Sequence, residues 1–526
     1  MIASLVVKVI GAFFQIPLQN LIGGESSPAF GLFSAAYRIY TAMLVISTVG
    51  LPAALSKMVA EATACGRERE VRRIVRVAAG IFVPVGALAT VVLLCGADTF
   101  AGWIKNPDAE LAVMAIAPSV LMVSILSVFR GYYQGRANMV PTAVSQVIEA
   151  MGKLFVGLGL AWYAVQQGMN EPQTAAMAVL GVTIGEVVAA AYMLVQAAAT
   201  RRRAERVRVL NDAVRPTGQL AKTLLSLSIP ITISSAVMSL TDLIDVALIS
   251  ARLQSPAVGM TAEQATTAYG IYTGNAVNFF NLPQTLITAL AVSVLPTIAS
   301  ARAAQNFTKV SRTLATTLRL TMIITLPAGA GFLLLSGPIL RLFYSEGTEL
   351  GGQLMALLGF AVPAVALVAI TNAVLQAFGR IDLPLISMFL GALVKIFGDY
   401  YLIGIPELNI AGAPISTAVC YWLIALINLF HISRLSHSLP PIGKTVGRPL
   451  AATVGMGAAT YICHTVLLRV TDAAPGTAAD KLVTLVVIAA AVAVYGVLLL
   501  MLHAVDREDM LLLPKGEKIA DILHLK

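Results

Sequence analysis

Leu482-Val483-Thr484-Leu485-Val486-Val487-Ile488-Ala489-Ala490-Ala491-Val492-Ala493-Val494-Tyr495-Gly496-Val497-Leu498-Leu499-Leu500-Met501-Leu502 runs from end to end without a charged residue. A helix needs about twenty predominantly apolar residues to cross the hydrocarbon core of a bilayer, and this stretch reads as one such span. Working back toward the N-terminus, comparable runs fall near 449–469, 410–432, 383–403, 350–377, 314–337, 268–298 and 223–250. Before them come runs near 174–199, 140–164, 110–130, 74–97, 30–56 and 2–22. The sequence therefore predicts an all-α membrane protein with about fourteen transmembrane helices. Prolines inside the runs (Pro17, Pro52, Pro84, Pro118, Pro230, Pro283, Pro327 and Pro363) are compatible with this, because neighbouring helices re-satisfy the freed carbonyls in a membrane bundle.

Composition agrees. Of 526 residues, 58% are hydrophobic and only 12% charged, about half the charge of a soluble globular chain; mean hydropathy is +0.83. Cys65, Cys95, Cys420 and Cys463 lie far apart and the five histidines are scattered, so neither a disulfide framework nor a zinc motif is indicated. The chain enters its first apolar run at once, through Met1-Ile2-Ala3-Ser4-Leu5 and on past Lys8. An uncleaved first span is expected rather than a signal peptide.

The net charge of +9 reads as an excess of cytoplasmic Lys and Arg rather than as affinity for nucleic acid, because positive loops face the cytoplasm. With the N-terminus inside, about 27 Lys and Arg fall on the inner side, six of them in 57–77 and seven in 200–222. The outer side collects only Lys105, Arg252, Arg341, Arg469 and Lys481. Both termini are thus expected in the cytoplasm, which requires an even number of spans.

A repeat underlies the layout. Ala29-Phe30-Gly31-Leu32-Phe33 resembles Ala268-Tyr269-Gly270-Ile271-Tyr272, and Leu51-Pro52 resembles Leu295-Pro296. Gln134-Gly135-Arg136, Pro141 and Lys153 align with Gln376, Gly379-Arg380, Pro384 and Lys395. Colinear matches at a nearly constant offset point to two parallel six-helix lobes. The expected division is an N-lobe over 1–199, a basic cytoplasmic linker over 200–222, a C-lobe over 223–434, and two further spans with a cytoplasmic tail over 435–526.

Charges inside spans are the candidate functional residues, since each is expensive in hydrocarbon unless paired, solvated or used. Glu149 with Lys153 and Lys395 with Asp399 are i,i+4 pairs that share a helix face, and mutual neutralisation explains them as well as function does. Glu186 adds a further acid in the first half. Asp242 and Asp245 lie three apart on one face, so one is protonated or a cation sits between them; Lys395 or Na⁺ would serve, giving a candidate cation-coupling cluster of Asp242, Asp245, Lys395 and Asp399. Lys8 and Arg38 have no acid within a turn of their own helices, which suits a cavity accepting an anionic group such as a diphosphate, with snorkelling to an interface the simpler account of Lys8. Tyr37, Tyr40, Tyr269 and Tyr272 either line the same region or merely pack. Gly329-Ala330-Gly331 lies inside an apolar run and is not a nucleotide loop.

Two stretches are distinctive: Ser127-Val128-Phe129-Arg130-Gly131-Tyr132-Tyr133-Gln134-Gly135 with Pro141-Thr142-Ala143-Val144-Ser145-Gln146-Val147-Ile148-Glu149, and Gly50-Leu51-Pro52-Ala53-Ala54-Leu55-Ser56-Lys57. They resemble the polysaccharide-biosynthesis and stage V sporulation protein B branch of the multidrug/oligosaccharidyl-lipid/polysaccharide exporter superfamily. The resemblance implies a V-shaped pair of lobes and export of lipid-linked saccharides, with the peptidoglycan precursor lipid II foremost. Gram-negative lipid II flippases, more distantly similar, carry an Arg-Asp pair in span 1 and an Arg deep in span 2; this chain has Phe13-Phe14-Gln15 and, nearer the outside, Arg38.

The expectation is a flippase for an undecaprenyl-diphosphate-linked saccharide, working by alternating access as a monomer without cofactor, metal or nucleic acid. No ATP motif is present, so an Na⁺ or H⁺ gradient or the membrane potential would give direction. A cation-coupled drug exporter of the same superfamily would instead call for an acidic cavity. A membrane glycosyltransferase needs catalytic groups in a large outer loop, whereas the longest, about 251–267, offers only Arg252 and Glu263 as charges; an enzyme is not expected. In a cysteine-free background, cysteines at Ser27 and Gln264 should react with an impermeant thiol reagent on intact cells, and cysteines at Glu68 and Glu205 should not. Labelling at either inner position would overturn the topology.

Overall fold

The computed structural model describes residues 2–23, 27–48, 50–204, 215–380, 382–436 and 443–505. Every one of the fourteen expected spans is helical, and among the described residues there is no strand. Ten helical stretches are long and apolar enough to cross a membrane, eleven if the bent pair Thr348–Gly359 and Ala361–Ala377 counts as one span. The remaining expected spans coincide with helices α1, α10 and α11–α12 below. The chain divides into two compact units, Met1–Gly270 and Ile271–Lys526.

The first unit contains α1 (Ile2–Ile22), α2 (Ala29–Thr48), α3 (Gly50–Ala64), α4 (Glu68–Cys95), α5 (Ala97–Trp103), α6 (Glu110–Gly135), α7 (Val140–Met151), α8 (Leu158–Gln166), α9 (Glu171–Ala204) and α10 (Thr217–Leu253), and α11 (Ala262–Ile271) ends at its boundary. Helix α6 is its hub, packing on α2, α3, α4 and α9. Lipid tails are as apolar as leucine, so helices in a membrane associate through close packing and polar contacts rather than hydrophobic burial. Small residues therefore sit at the crossings. A Cβ on Gly135 would come within 2.6 Å of the Ser56 carbonyl on α3, one on Gly50 within 2.1 Å of Thr232 Oγ1 on α10, and one on Gly31 within 2.1 Å of the Thr266 carbonyl on α11. Leu51, Leu55, Met58, Val71, Ile74 and Leu224 fill the space between α3, α4 and α10.

The second unit contains α12 (Asn278–Ala303), α13 (Phe307–Phe343), α14 (Thr348–Gly359), α15 (Ala361–Ala377), α16 (Asp382–Leu402), α17 (Gly412–Ser436), α18 (Arg448–Thr471) and α19 (Ala478–Met501). Helix α13 breaks at Leu335 (φ −121°, ψ 15°), three residues before Pro338, whose ring clashes with the carbonyl four residues back and removes a donor. Gly329 of the Gly329-Ala330-Gly331 stretch lies against the α14 backbone: a Cβ on it would stand 2.5 Å from the Gly359 carbonyl oxygen, whereas Gly331 has nothing within 4 Å. Helix α19 is tied to α13 by Tyr495, whose hydroxyl donates to the Ile323 carbonyl at 2.9 Å, and by Arg341, which grips buried Asp480 through two bonds of 2.8 and 3.3 Å. Leucines and valines along α4 and α19, such as Leu88, Val92, Leu482 and Val492, are exposed, as a lipid-facing surface requires.

Candidate functional site: buried charges in each unit

The charged site of the first unit depends on an approach of backbones. The fifth span is not one continuous α-helix: between α7 and α8 the segment Gly152–Gly157 is a π turn, a local widening common at functional sites. Its end glycines lie on glycines of α9. A Cβ on Gly152 would stand 2.3 Å from the Gly185 Cα, and one on Gly181 would stand 2.1 Å from the Gly157 Cα. Gly181 and Gly185 form a small-xxx-small pair of the kind that lets membrane helices touch. The contact brings the acid just before the turn, Glu149, and the lysine inside it, Lys153, beside Glu186 of α9.

There the charges interlock. Lys153 Nζ lies 3.0 Å from Glu149 Oε1, while Arg130 of α6 reaches the other oxygen at 3.1 Å and donates through Nε to Ser145 Oγ at 3.0 Å. The ammonium of Lys153 sits over the rings of Tyr37 and Tyr40 on α2, 5.6 and 5.8 Å from their centroids, close enough for cation–π attraction. Tyr40 in turn donates to Glu186 Oε1 at 2.5 Å, whereas Glu186 Oε2 is buried with no hydrogen-bond partner among the described residues. Two cations and two carboxylates from three spans thus gather around the tyrosines of α2, with one carboxylate oxygen of Glu186 left without a hydrogen-bond partner among the described residues.

A second contact in this unit corrects the sequence reading. Arg38 is not left without an acid: its Nη1 stands 3.5 Å from Asp242 Oδ2 on α10. Arg38 is thus a cation beside Asp242, one that the sequence reading, which offered Lys395 or Na⁺, did not consider. The partner was invisible to a same-helix search because it lies on a helix about 200 residues later. The pair is not sealed in protein, since the Arg38 side chain is 27% exposed and that of Asp242 45%. Asp245, a turn further along α10, is half-buried. Tyr269 and Tyr272 are buried. The Lys8 side chain lies outside the described residues.

In the second unit Lys395 Nζ bonds Asp399 at 2.7 Å, and Ser416 of α17 donates to the other oxygen of Asp399. Both charged residues are buried. Gly391 and Gly398 flank them on α16 and let α17 close in, at Ile424 and Ser416 respectively. A polar layer follows: Asn428 of α17 accepts from Ser387 at 2.6 Å and donates to Thr371 and Asn372 at 3.0 and 2.8 Å. Of the four residues grouped as a coupling cluster, Asp242 and Asp245 belong to the first unit and Lys395 and Asp399 to the second. Among the described residues no three His, Cys, Asp or Glu side chains gather as a metal site would need.

Sequence reasoning assigned no role to Arg130, Ser416 or Asn428. The signal for the first was available, for Arg130 sits in the Phe129-Arg130-Gly131 stretch fifteen residues before Ser145.

The chain as a whole is similar to known proteins. The profile of the family described as Lipid II flippase MurJ matches residues 61–499. The chain is 26% identical to stage V sporulation protein B of Bacillus subtilis over 97% of its own length and 96% of that protein's. It is 25% identical to the Bacillus subtilis lipid II flippase MurJ, covering 88% and 86%. Its fold is similar to that of a lipid II flippase MurJ solved in an inward closed conformation, with a TM-score of 0.70, 15% identity and coverage of 94% and 97%.

The glycine contact can be tested by itself. Gly181→Val forces a side chain into a backbone, and overpacking of this kind costs about 1–3 kcal/mol. Purified Gly181→Val should melt several degrees below the parent and accumulate poorly. Gly159→Val, at a site with nothing within 4 Å, should melt like the parent. Equal melting of the two variants would contradict the packing account.

Proposed function

The chain belongs to the Lipid II flippase MurJ family, and we propose that it carries an undecaprenyl-diphosphate-linked saccharide, the peptidoglycan precursor lipid II, across the cytoplasmic membrane of a bacterium by alternating access. Both termini lie in the cytoplasm in this reading, and the work is transport rather than catalysis.

The observation that carries the reading to particular residues is the half-open Arg38–Asp242 pair. An arginine within a span costs about 3 kcal/mol or more when idle, so its counterion must come from protein or substrate. Asp242 fills that role between cycles. A diphosphate presents more charge and more acceptor oxygens than one carboxylate, and the planar guanidinium fork grips such a group through two parallel bonds. The substrate head therefore displaces Asp242 from Arg38 on entry, and Asp242 competes it off again on release. Lys8, at the start of the first span, assists with charge alone. An Na⁺ or H⁺ gradient or the membrane potential gives direction, acting through the acids Asp242, Asp245 and Asp399, with Lys395 as the built-in cation of the second unit. The Arg130–Glu149–Lys153–Glu186 group holds the first unit together beneath the site.

Arg38→Ala should abolish complementation of a flippase-depleted strain, and Arg38→Lys should restore it only in part, since an ammonium lacks the two-pronged geometry. Both variants should reach the membrane at normal levels. Exposure of lipid-linked precursor on the outer surface is the readout, with efflux of cationic dyes measured in parallel. Normal precursor exposure in Arg38→Ala would overturn the assignment. So would protein-dependent dye efflux with precursor untouched, which is the outcome a drug exporter predicts.

A further inference from the structure

A cavity of about 450 Å³ opens among α4, α6 and α9 of the first unit, and neither Arg38 nor Asp242 is among its lining residues. Its mouth is lined by Arg72 and Arg76, one turn apart on α4, and by Arg136 at the end of α6; deeper in, Ala79, Phe129 and Ala197 make an apolar wall. Two of the helices that form the mouth, α4 and α9, adjoin the 57–77 and 200–222 segments, whose basic character marks the cytoplasmic side.

Little among the described residues neutralises this mouth. Arg72 and Arg76 are exposed and have no ion-pair partner among the described residues. The nearby buried acid, Glu70, is engaged by Arg67 and Arg215. Glu68 pairs with Arg136, leaving three arginines against one acid around the cavity. Arg136 is held flat over the Tyr132 ring at 5.2 Å, and its Nε is a buried donor with no hydrogen-bond partner among the described residues. A buried donor of this kind calls for an acceptor, and a lipid phosphate would supply one. The equivalent helix ends in the second unit differ. The cavity there is about 270 Å³, and its Arg302 already donates to the Phe378 carbonyl and stacks on the Phe378 ring at 4.9 Å.

We propose that the α4–α6–α9 cavity binds an anionic glycerophospholipid of the cytoplasmic leaflet, its phosphate held by Arg72, Arg76 and Arg136 and its first chain carbons lying on Phe129 and Ala79. The apolar wall selects a lipid over a soluble phosphate, and the unneutralised arginines select an anionic head over a zwitterionic one. Basic pockets between membrane helices on the cytoplasmic side hold lipid heads by this chemistry. The site is independent of substrate transport and of Arg38.

The test uses the full-length protein in nanodiscs of equal parts phosphatidylglycerol and phosphatidylcholine, transferred to detergent and weighed by native mass spectrometry. The parent should retain phosphatidylglycerol in preference to phosphatidylcholine. The Arg72→Gln/Arg76→Gln double variant should lose that retention on the order of tenfold, as expected from removing two charges near a headgroup. Arg302→Gln and Arg38→Ala should retain it, and Arg72→Lys/Arg76→Lys should keep most of it, which separates loss of charge from loss of fold. Equal retention of the two lipids by the parent, or undiminished retention by the Gln variant, would overturn the proposal. Loss in Arg38→Ala would overturn it as well, by placing the lipid in the substrate path. Equal thermal stabilisation of the parent by soluble glycerol phosphate and by phosphatidylglycerol would show that the apolar wall plays no part, and would also end it.

Discussion

A charge within a membrane span needs its counter-charge from another helix or from a ligand, and the helices of the first unit are placed by that need. Glu149 is the centre of it. One oxygen takes Lys153 from its own helix and the other takes Arg130 from α6, while the tyrosines of α2 shield the lysine and one of them reaches Glu186 on α9. Setting Glu149 and Lys153 beside Glu186 requires the fifth span and α9 to approach at backbone distance, and the glycines at 152, 157, 181 and 185 leave room for it. Packing and charge pairing are therefore one constraint here. A bulkier residue at the crossing separates the charges, and an unpaired charge would drive the helices apart.

What the sequence made legible follows from the range of each signal. Hydropathy is a local property, so all fourteen expected spans are found as helices, although α9 and α10 extend beyond their runs into the basic 200–222 segment. Pairs four residues apart are local too, and Glu149–Lys153 and Lys395–Asp399 stand within hydrogen-bond distance. Arg38 and Asp242 are not local. Their contact depends on which helices neighbour α2, and no periodicity in either segment encodes that. The π turn at 152–157 was equally hidden, since its glycines read as ordinary span glycines until their partners on α9 are known.

The difference between the two charge arrangements of the first unit bears on function. The Glu149 group is closed: its members are largely buried and satisfy one another, apart from one oxygen of Glu186. A group of that kind fixes structure. The Arg38–Asp242 pair is partly exposed and held at 3.5 Å, longer than a charge-assisted bond in good geometry. Such a pair suits the exchange proposed for Arg38. A transporter of a diphosphate-linked lipid needs a cation that is neutralised when the site is empty and available when substrate arrives, and a weak internal counterion meets both demands.

The exchange of anions at Arg38 is the central claim, and the affinity of purified Asp242→Asn protein for undecaprenyl diphosphate tests it most directly. Removing the competing carboxylate while keeping its shape should tighten binding relative to the parent and make release, hence turnover, slower. Binding that is unchanged or weaker in Asp242→Asn, with Arg38 intact, would mean that Asp242 does not compete with substrate for the guanidinium, and the account would be contradicted.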